Sequence, residues 1–253
     1  MQNRLTNGIM PRRFTNTIMR YRLKKSAAFA AAVLIAAGSC GIGSMAMGGE
    51  AGASAPWRDL FDGKNTDAWR GWISGVLPAG WRVADGALVK DGKVEDLVTR
   101  EPFGNFELEL EWNIGRAGNS GVFYRGTREY EHIYWSAPEY QLLDDVNAPD
   151  GRSPLTSAAS AFGVYAAPPG VVKPFGQWNT TRIVVNGSHV EHWLNGRQVV
   201  VYELGSADWK ARVAASKFSA YPNYGLAKRG FIGIQGDHPG TLALRRIRIR
   251  ELP

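Results

Sequence analysis

Residues Phe106-Glu107-Leu108-Glu109-Leu110-Glu111-Trp112 alternate apolar and acidic side chains without a break. Successive side chains of a strand point to opposite faces, so Phe106, Leu108, Leu110 and Trp112 share one face and three glutamates the other. This is the pattern of a half-buried antiparallel strand. Similar segments recur at 181–185, 189–194, 198–202 and 231–235, and Arg246-Ile247-Arg248-Ile249-Arg250 adds a last alternating strand near the chain end. Asn186-Gly187 and Asn195-Gly196 fall between such segments. Both read as hairpin turns of type I′, in which each central residue needs a positive φ.

One helix is expected, from Ser206 to about Ala215, with Ser206 as N-cap and Asp208 in the first turn. Segments 146–160 and 216–229 are long loops rich in Ser, Pro, Asn and Gly, and loops of that length in a β domain are more often functional than incidental. The fold class that follows is all-β, an antiparallel two-sheet jelly-roll sandwich with one short helix, over residues 56–253.

Residues 1–55 read as an export signal and flexible leader. Arg12, Arg13, Arg20, Arg22, Lys24 and Lys25 form a basic stretch, and Ala27 to Ala37 is an apolar run of signal-peptide length, too short to span a bilayer. Met10 and Met19 are alternative starts. Ala53-Ser54-Ala55 is one candidate cleavage site. Cys40, the only cysteine, offers another reading, a lipoprotein box, although Ala37 stands where a larger aliphatic residue is usual. A periplasmic or outer-membrane-attached location is therefore expected. The leader also carries the charge: the chain is +7 in total, and without residues 1–55 it retains 23 basic and 22 acidic residues. No basic footprint for nucleic acid remains. One cysteine permits no internal disulfide.

Two further segments place polar groups where a purely structural strand would have apolar ones: Asn119-Ser120-Gly121-Val122-Phe123-Tyr124-Arg125 and Glu139-Tyr140-Gln141-Leu142-Leu143-Asp144. Asn, Arg, Glu and Gln are costly to bury without partners. A sheet face with amides and carboxylates beside aromatics suits a sugar, whose hydroxyls want hydrogen bonds and whose ring face wants an aromatic. There is no zinc-ligand spacing, no phosphate loop and no Gly-x-Ser-x-Gly nucleophile elbow.

Taken in order, these motifs resemble the bacterial 3-keto-disaccharide hydrolase domain family. The likeness runs from about Asp59 to Leu252. It is carried by Leu60-Phe61-Asp62-Gly63-Lys64, Trp69, Trp72, Trp81-Arg82-Val83-Ala84-Asp85-Gly86, and the two polar strands above. It continues through Trp178-Asn179, His192-Trp193-Leu194-Asn195-Gly196, Ser216-Lys217-Phe218, Gly233-Ile234-Gln235 and His238. One departure is Leu244-Arg245-Arg246-Ile247, where the family usually has Phe-Arg-Asn-Ile. The resemblance implies a concanavalin A-like sandwich, exported, acting on 3-keto-glycosides. A ketone at C3 acidifies the C2 hydrogen, so a base can remove it while the C1 oxygen leaves, and water then adds to the enone. Such a site needs a base near C2, a polariser of the keto oxygen and an acid near the leaving oxygen.

On that reading Glu139 is the candidate base, against a solvent-facing strand glutamate. Arg125 would polarise the keto oxygen or pair with Glu139, against a structural fork. His238, at the end of the 231–235 strand, is the candidate proton shuttle. Asn119, Tyr124, Gln141, Gln235, Lys217 and His132 are the candidate sugar contacts, with Lys217 also placed to stabilise an enolate. His192 and most of the tryptophans, Trp178 included, read as structural. Asp144 reads equally as a loop cap or a ligand. A divalent cation held by Glu139, Asp144 and His238 stays open. Two other classes remain beside the enzyme: a non-catalytic sugar-binding module, and a conventional glycoside hydrolase. The second would want a Glu-x-Asp-x-x-Glu strand, whereas Glu107, Glu109 and Glu111 lack the intervening Asp and look like a solvent face.

Overall fold

The computed structural model describes residues 54–253. The expected export signal, with Cys40, lies outside them. In chain order the strands are β1 (Arg58–Phe61), β2 (Trp69–Gly71), β3 (Trp81–Ala84), β4 (Ala87–Asp91), β5 (Leu97–Thr99), β6 (Phe106–Ile114), β7 (Asn119–Gly126), β8 (Glu139–Leu143), β9 (Asn179–Asn186), β10 (His189–Leu194), β11 (Arg197–Glu203), β12 (Phe231–Ile234) and β13 (Thr241–Glu251). One helix, α1 (Ala207–Ala214), follows β11. Ser206 caps it by accepting from Trp209 N at 3.0 Å, as its position before Asp208 predicts.

The strands form two antiparallel sheets. The larger has the order β11-β10-β9-β6-β13-β4-β3, with β1 also on β13; the smaller has the order β2-β5-β12-β7-β8. This is the jelly-roll-type sandwich expected. The core lies between the sheets. Phe106, Leu108, Leu110 and Trp112 of β6 meet Val122, Tyr124, Tyr140, Leu142, Ile232 and Ile234 of the small sheet. Each fully buried aliphatic of this kind stabilises the fold by about 1.5–3 kcal/mol relative to exposure.

The glutamate face of β6 differs from a plain solvent face. Register pairs Glu111 with Arg245, Glu109 with Arg248 and Glu107 with Arg250 on β13. Arg245 Nε meets Glu111 at 2.6 Å, and Arg248 Nε meets Glu109 at 2.8 Å. Glu107 is buried between Arg182 and Arg250. The three acids are thus neutralised in a cross-strand ladder. Arg246 sits at a register break in β13 with φ 51°, the left-handed region that Asn tolerates better than Arg. This is the position where the resemblance leads one to expect Asn.

The two Asn-Gly dipeptides behave differently. Asn195 (φ 50°) and Gly196 (φ 79°) form the expected I′ turn between β10 and β11. Asn186 instead pairs with His189, so Gly187 and Ser188 are the central residues and only Gly187 has positive φ (60°). Glycine at the first central position is the II′ arrangement. Trp69, Trp72 and Trp81 are buried as expected, each donating its indole N–H to a carbonyl, of Leu60, Glu131 and Glu95 respectively. Trp178 is not a core residue: it is partly exposed, with the Arg245 guanidinium 4.0 Å above its ring.

Candidate functional site

The even-numbered residues of β7, Val122 and Tyr124, point into the core, so its odd residues point outward from the small sheet. Glu139 and Gln141 of β8 take the same outward face, opposite Phe123 and Gly121 in register. Loops cover that face and leave a cavity of about 380 Å³. Asn119, Glu139 and Gln141 line it from β7 and β8. Gln235, Asp237 and His238 follow the end of β12, Tyr134, Asp150 and Lys217 come from three short 3₁₀ turns, and Phe162 from a covering loop.

Glu139 is buried at the floor. Burial pushes its carboxyl up to about 8; the Lys217 charge opposes this, and Asp237, Asp96 and Asp150 add to it. Its side chain lies across Gly121. A methyl group there would collide with Glu139 Oε1 and come within 2.7 Å of its Cγ and Cδ, so only glycine leaves room. Turning the Gln141 carboxamide lets its nitrogen donate to Ser120 O (3.0 Å) and Glu139 Oε1 (3.1 Å). Asn119 Nδ2 donates to Asp150 Oδ2 at 2.9 Å.

Gln235 is tied down through its backbone. Its N–H donates to Gly121 O at 2.9 Å, and its carbonyl accepts from Ser120 Oγ at 2.8 Å. Its side-chain Oε1 is buried with no protein donor. A buried acceptor without a partner is costly, and a sugar hydroxyl is the kind of donor that would satisfy it. His238 is half-buried, with Nε2 3.8 Å from Asp237 Oδ1. Burial lowers the pKa of the imidazole, with Asp237 and Asp150 opposing and Lys90 and Lys93 assisting. Lys217 Nζ stands 4.3 Å from the Phe162 ring centre and 5.1 Å from that of Phe218, which fixes its ammonium by cation–π attraction.

Six of the nine expected residues thus meet in one cavity: Asn119, Glu139, Gln141, Lys217, Gln235 and His238. Three do not. Arg125 is displaced by a bulge: Phe231 pairs with Gly126 but Gly233 with Phe123, and Arg125 takes φ 54° there. Its side chain leaves the cavity and donates to Gly104 O (3.0 Å), Gly187 O (2.8 Å) and Asn105 Oδ1 (3.1 Å). It neither pairs with Glu139 nor reaches a sugar there. Tyr124 is on the wrong face of β7 for a sugar contact. It is wholly buried between the sheets, where its hydroxyl meets His192 Nε2 (2.9 Å) and the Tyr202 hydroxyl. His192 donates from Nδ1 to Ala159 O (2.9 Å), and burial lowers its pKa to about 4, so it is a structural histidine. His132 lies one layer behind the cavity, stacked on Tyr134 at 4.8 Å.

Asp144 takes the capping role. It accepts from Ala117 N (2.8 Å), Val146 N (3.2 Å) and Asn147 Nδ2 (2.8 Å), which turns it away from Glu139 and His238. Among the described residues, no three His, Cys, Asp or Glu side chains are arranged to hold a metal ion. Four lining residues escaped the sequence reading. Tyr134 lies two residues from His132 in the same aromatic loop, and Asp237 adjoins His238. Asp150 and Phe162 come from or follow the long 146–160 loop, where length alone was the signal.

Amides, carboxylates and an imidazole gathered on the outer face of one sheet of a β-sandwich define a carbohydrate-directed domain. The comparisons narrow this class. Residues 56–250 match the 3-keto-alpha-glucoside-1,2-lyase-like domain family, and the chain belongs to that family. A protein of Bacteroides thetaiotaomicron named 3-keto-disaccharide hydrolase is 36% identical over 226 residues, covering 76% of this chain and 77% of the relative. A crystal structure from Parabacteroides distasonis, described as a candidate glycosyl hydrolase, is 32% identical with a TM-score of 0.72, covering 78% of this chain and 94% of that one. A second from the same organism is 29% identical with a TM-score of 0.61, covering 78% and 100%.

Proposed function

We propose that this chain cleaves 3-keto-glycosides by elimination and hydration in the cavity above Glu139. The carboxylate of Glu139 takes the C2 proton, which the neighbouring C3 ketone acidifies. The electron pair left on C2 forms the C1–C2 double bond, and the C1–O bond breaks. The departing oxygen takes a proton from His238 or from water and leaves as an alcohol. Water then adds at C1 and a proton returns to C2, completing net hydrolysis. Lys217 stabilises the enolate oxygen, and Asn119, Gln141 and Gln235 hold the ring hydroxyls.

The observation that carries this reading is a buried carboxyl pushed up to about 8 in a cavity that also holds an imidazole and an ammonium. A base works best when its pKa lies near the working pH. Sugar binding alone needs no such cluster. A conventional hydrolase of the kind considered above would use the β6 glutamates, and those belong to the larger sheet, away from the cavity, where arginines of the neighbouring strand β13 neutralise them. We further propose that the leader exports the domain; Cys40→Ser would then release it from the membrane fraction if Cys40 is lipidated, and leave its partition unchanged if export ends in cleavage.

The test is turnover of matched 3-keto and native aryl glucosides. Cleavage of the 3-keto compound alone, lost in Glu139→Gln with the fold intact, is the expected result. Cleavage of the native glucoside, or retention of activity in Glu139→Gln, would overturn it. Glycan binding without cleavage of either would mark a binding module.

A further inference from the structure

The segment Gln235–Gly240, which carries Asp237 and His238 into the cavity, is held from one side by two buried ionic groups of opposite sign. Lys90, on β4, is 2% exposed. Its ammonium donates to His238 O at 2.8 Å, Gly92 O at 3.0 Å and Gly240 O at 3.3 Å. Asp96, 7% exposed, accepts from Gly236 N at 2.6 Å. Between them the backbones are zipped: Val94 N donates to Gly236 O (3.0 Å) and Gly92 N to Gly240 O (3.2 Å). A methyl group on Gly236 would stand 2.6 Å from Glu95 O and 2.7 Å from Val94 O, so the two segments touch.

Lys90 is an expensive way to fill space. Among the described residues no carboxylate lies within ion-pairing distance of it, and its three carbonyl acceptors carry only partial charge. A methionine would pack the same length without that cost. What the ammonium gains is a three-point grip, two points of which are in the segment bearing His238.

We propose that Lys90 and Asp96 are positioning residues for the reaction: they fix Asp237 and His238 against the wall formed by Glu139 and Gln141. Neither touches the cavity; both act through the segment they hold. The proposal rests on the reading of the cavity as the reaction site. Lys90 also acts on His238 directly, because a fixed positive charge disfavours the imidazolium. The charged groups around the pair are Asp91, Asp96 and Asp237 on the lysine side, and Asp150, Asp237 and Lys93 on the histidine side.

The experiment compares Lys90→Met with Lys90→Arg, measuring kcat and KM on a 3-keto aryl glucoside and the His238 titration midpoint by NMR. For Lys90→Met, kcat is expected to fall roughly 10- to 100-fold, the scale of a misplacement of about 1 Å. KM should hold within about threefold, as lost transition-state positioning requires. The His238 midpoint should rise toward its ordinary value, about 6.5. Lys90→Arg, which keeps charge and donors, should recover most of both. A Lys90→Met protein with kcat within about twofold of the parent and an unmoved His238 midpoint overturns the proposal. So does a Lys90→Arg protein as impaired as Lys90→Met. Should Lys90→Met fail to fold, Asp96→Asn keeps the acceptor for Gly236 N while Asp96→Ala removes it. Loss in the alanine variant alone supports the clamp, and equal activity in both overturns it. If the parent cleaves no 3-keto glucoside, the functional reading fails by itself; hydrogen exchange of the Val94 and Gly92 amides, which are bonded to Gly236 and Gly240, still decides the clamp, faster exchange in Lys90→Met supporting it and unchanged exchange overturning it.

Discussion

Gly121→Ala isolates the contact that holds Glu139 in place. Gly121 is not among the residues at positive φ, so alanine fits its backbone, and in a strand interior the change alone would stabilise by about 0.5–1 kcal/mol. The obstacle is the Glu139 side chain, whose Cγ and Cδ would lie 2.7 Å from the new methyl carbon. Carbon atoms pack at about 3.5–4.0 Å, so the carboxyl must move by roughly 1 Å or strain its surroundings. Overpacking of this kind costs about 1–3 kcal/mol. The net destabilisation in the parent is therefore about 0.5–2 kcal/mol, while in a Glu139→Ala background the collision is gone and the substitution becomes neutral or stabilising. Urea denaturation of the four proteins in this cycle should give a coupling energy of about 1–3 kcal/mol, the overpacking cost itself. Turnover of a 3-keto glucoside by Gly121→Ala should fall on the order of 100-fold, because the base is displaced by about 1 Å. Additive stabilities, or a Gly121→Ala protein with parental kcat, would refute the claim that this glycine sets the position of the carboxyl.

Arg125→Met should lower stability by about 1–3 kcal/mol, since the carbonyls of Gly104 and Gly187 and the Asn105 amide oxygen, none of them fully buried, lose a charged donor, yet leave kcat within about threefold; a selective loss of turnover would return Arg125 to the reaction. The carboxyl of Glu139 is raised from 4.5 to about 8 on folding, so the unfolded chain ionises first and stability is lost as pH rises from about 4.5 to about 8. Asp96, raised from 3.8 to about 7 chiefly by burial, acts in the same direction. Glu139→Gln should therefore flatten the decline and gain about 1–3 kcal/mol over the parent at pH 8, read by denaturation at pH 5, 6.5 and 8; a parallel decline in both proteins would contradict the raised carboxyl. Arg246→Asn should stabilise by about 0.5–1 kcal/mol in a thermal scan, because the left-handed backbone costs arginine more than the exposed Arg246–Glu111 pair returns.

How much of this was legible in the sequence depended on whether a residue's placement is governed by periodicity. Strand alternation is local, and it put Glu139 and Gln141 on one face correctly because nothing interrupts β8 between them. Residue type alone suggests Tyr124 as a sugar contact, whereas the same alternation sends it to the opposite face from Asn119 and Gly121, into the core. Arg125 shares their parity and still leaves the cavity, because one extra residue in β7 opposite β12 re-aims its side chain. A bulge is decided by the partner strand, 106 residues away at Phe231, and no local pattern announces it. Asp150 and Phe162 are harder still, since their place over the small sheet depends on how a long loop closes. Lys90 shows the limit most clearly. In β4, Ala87-Leu88-Val89-Lys90-Asp91, it reads as a polar residue of a half-exposed strand. Only the meeting of Lys90 with the His238 and Gly240 carbonyls, about 150 residues later in the chain, makes burial of the ammonium tolerable. What periodicity determines here is the sheet that bears Glu139. What arms that sheet is a set of contacts between segments far apart in sequence, and these follow from the closed fold.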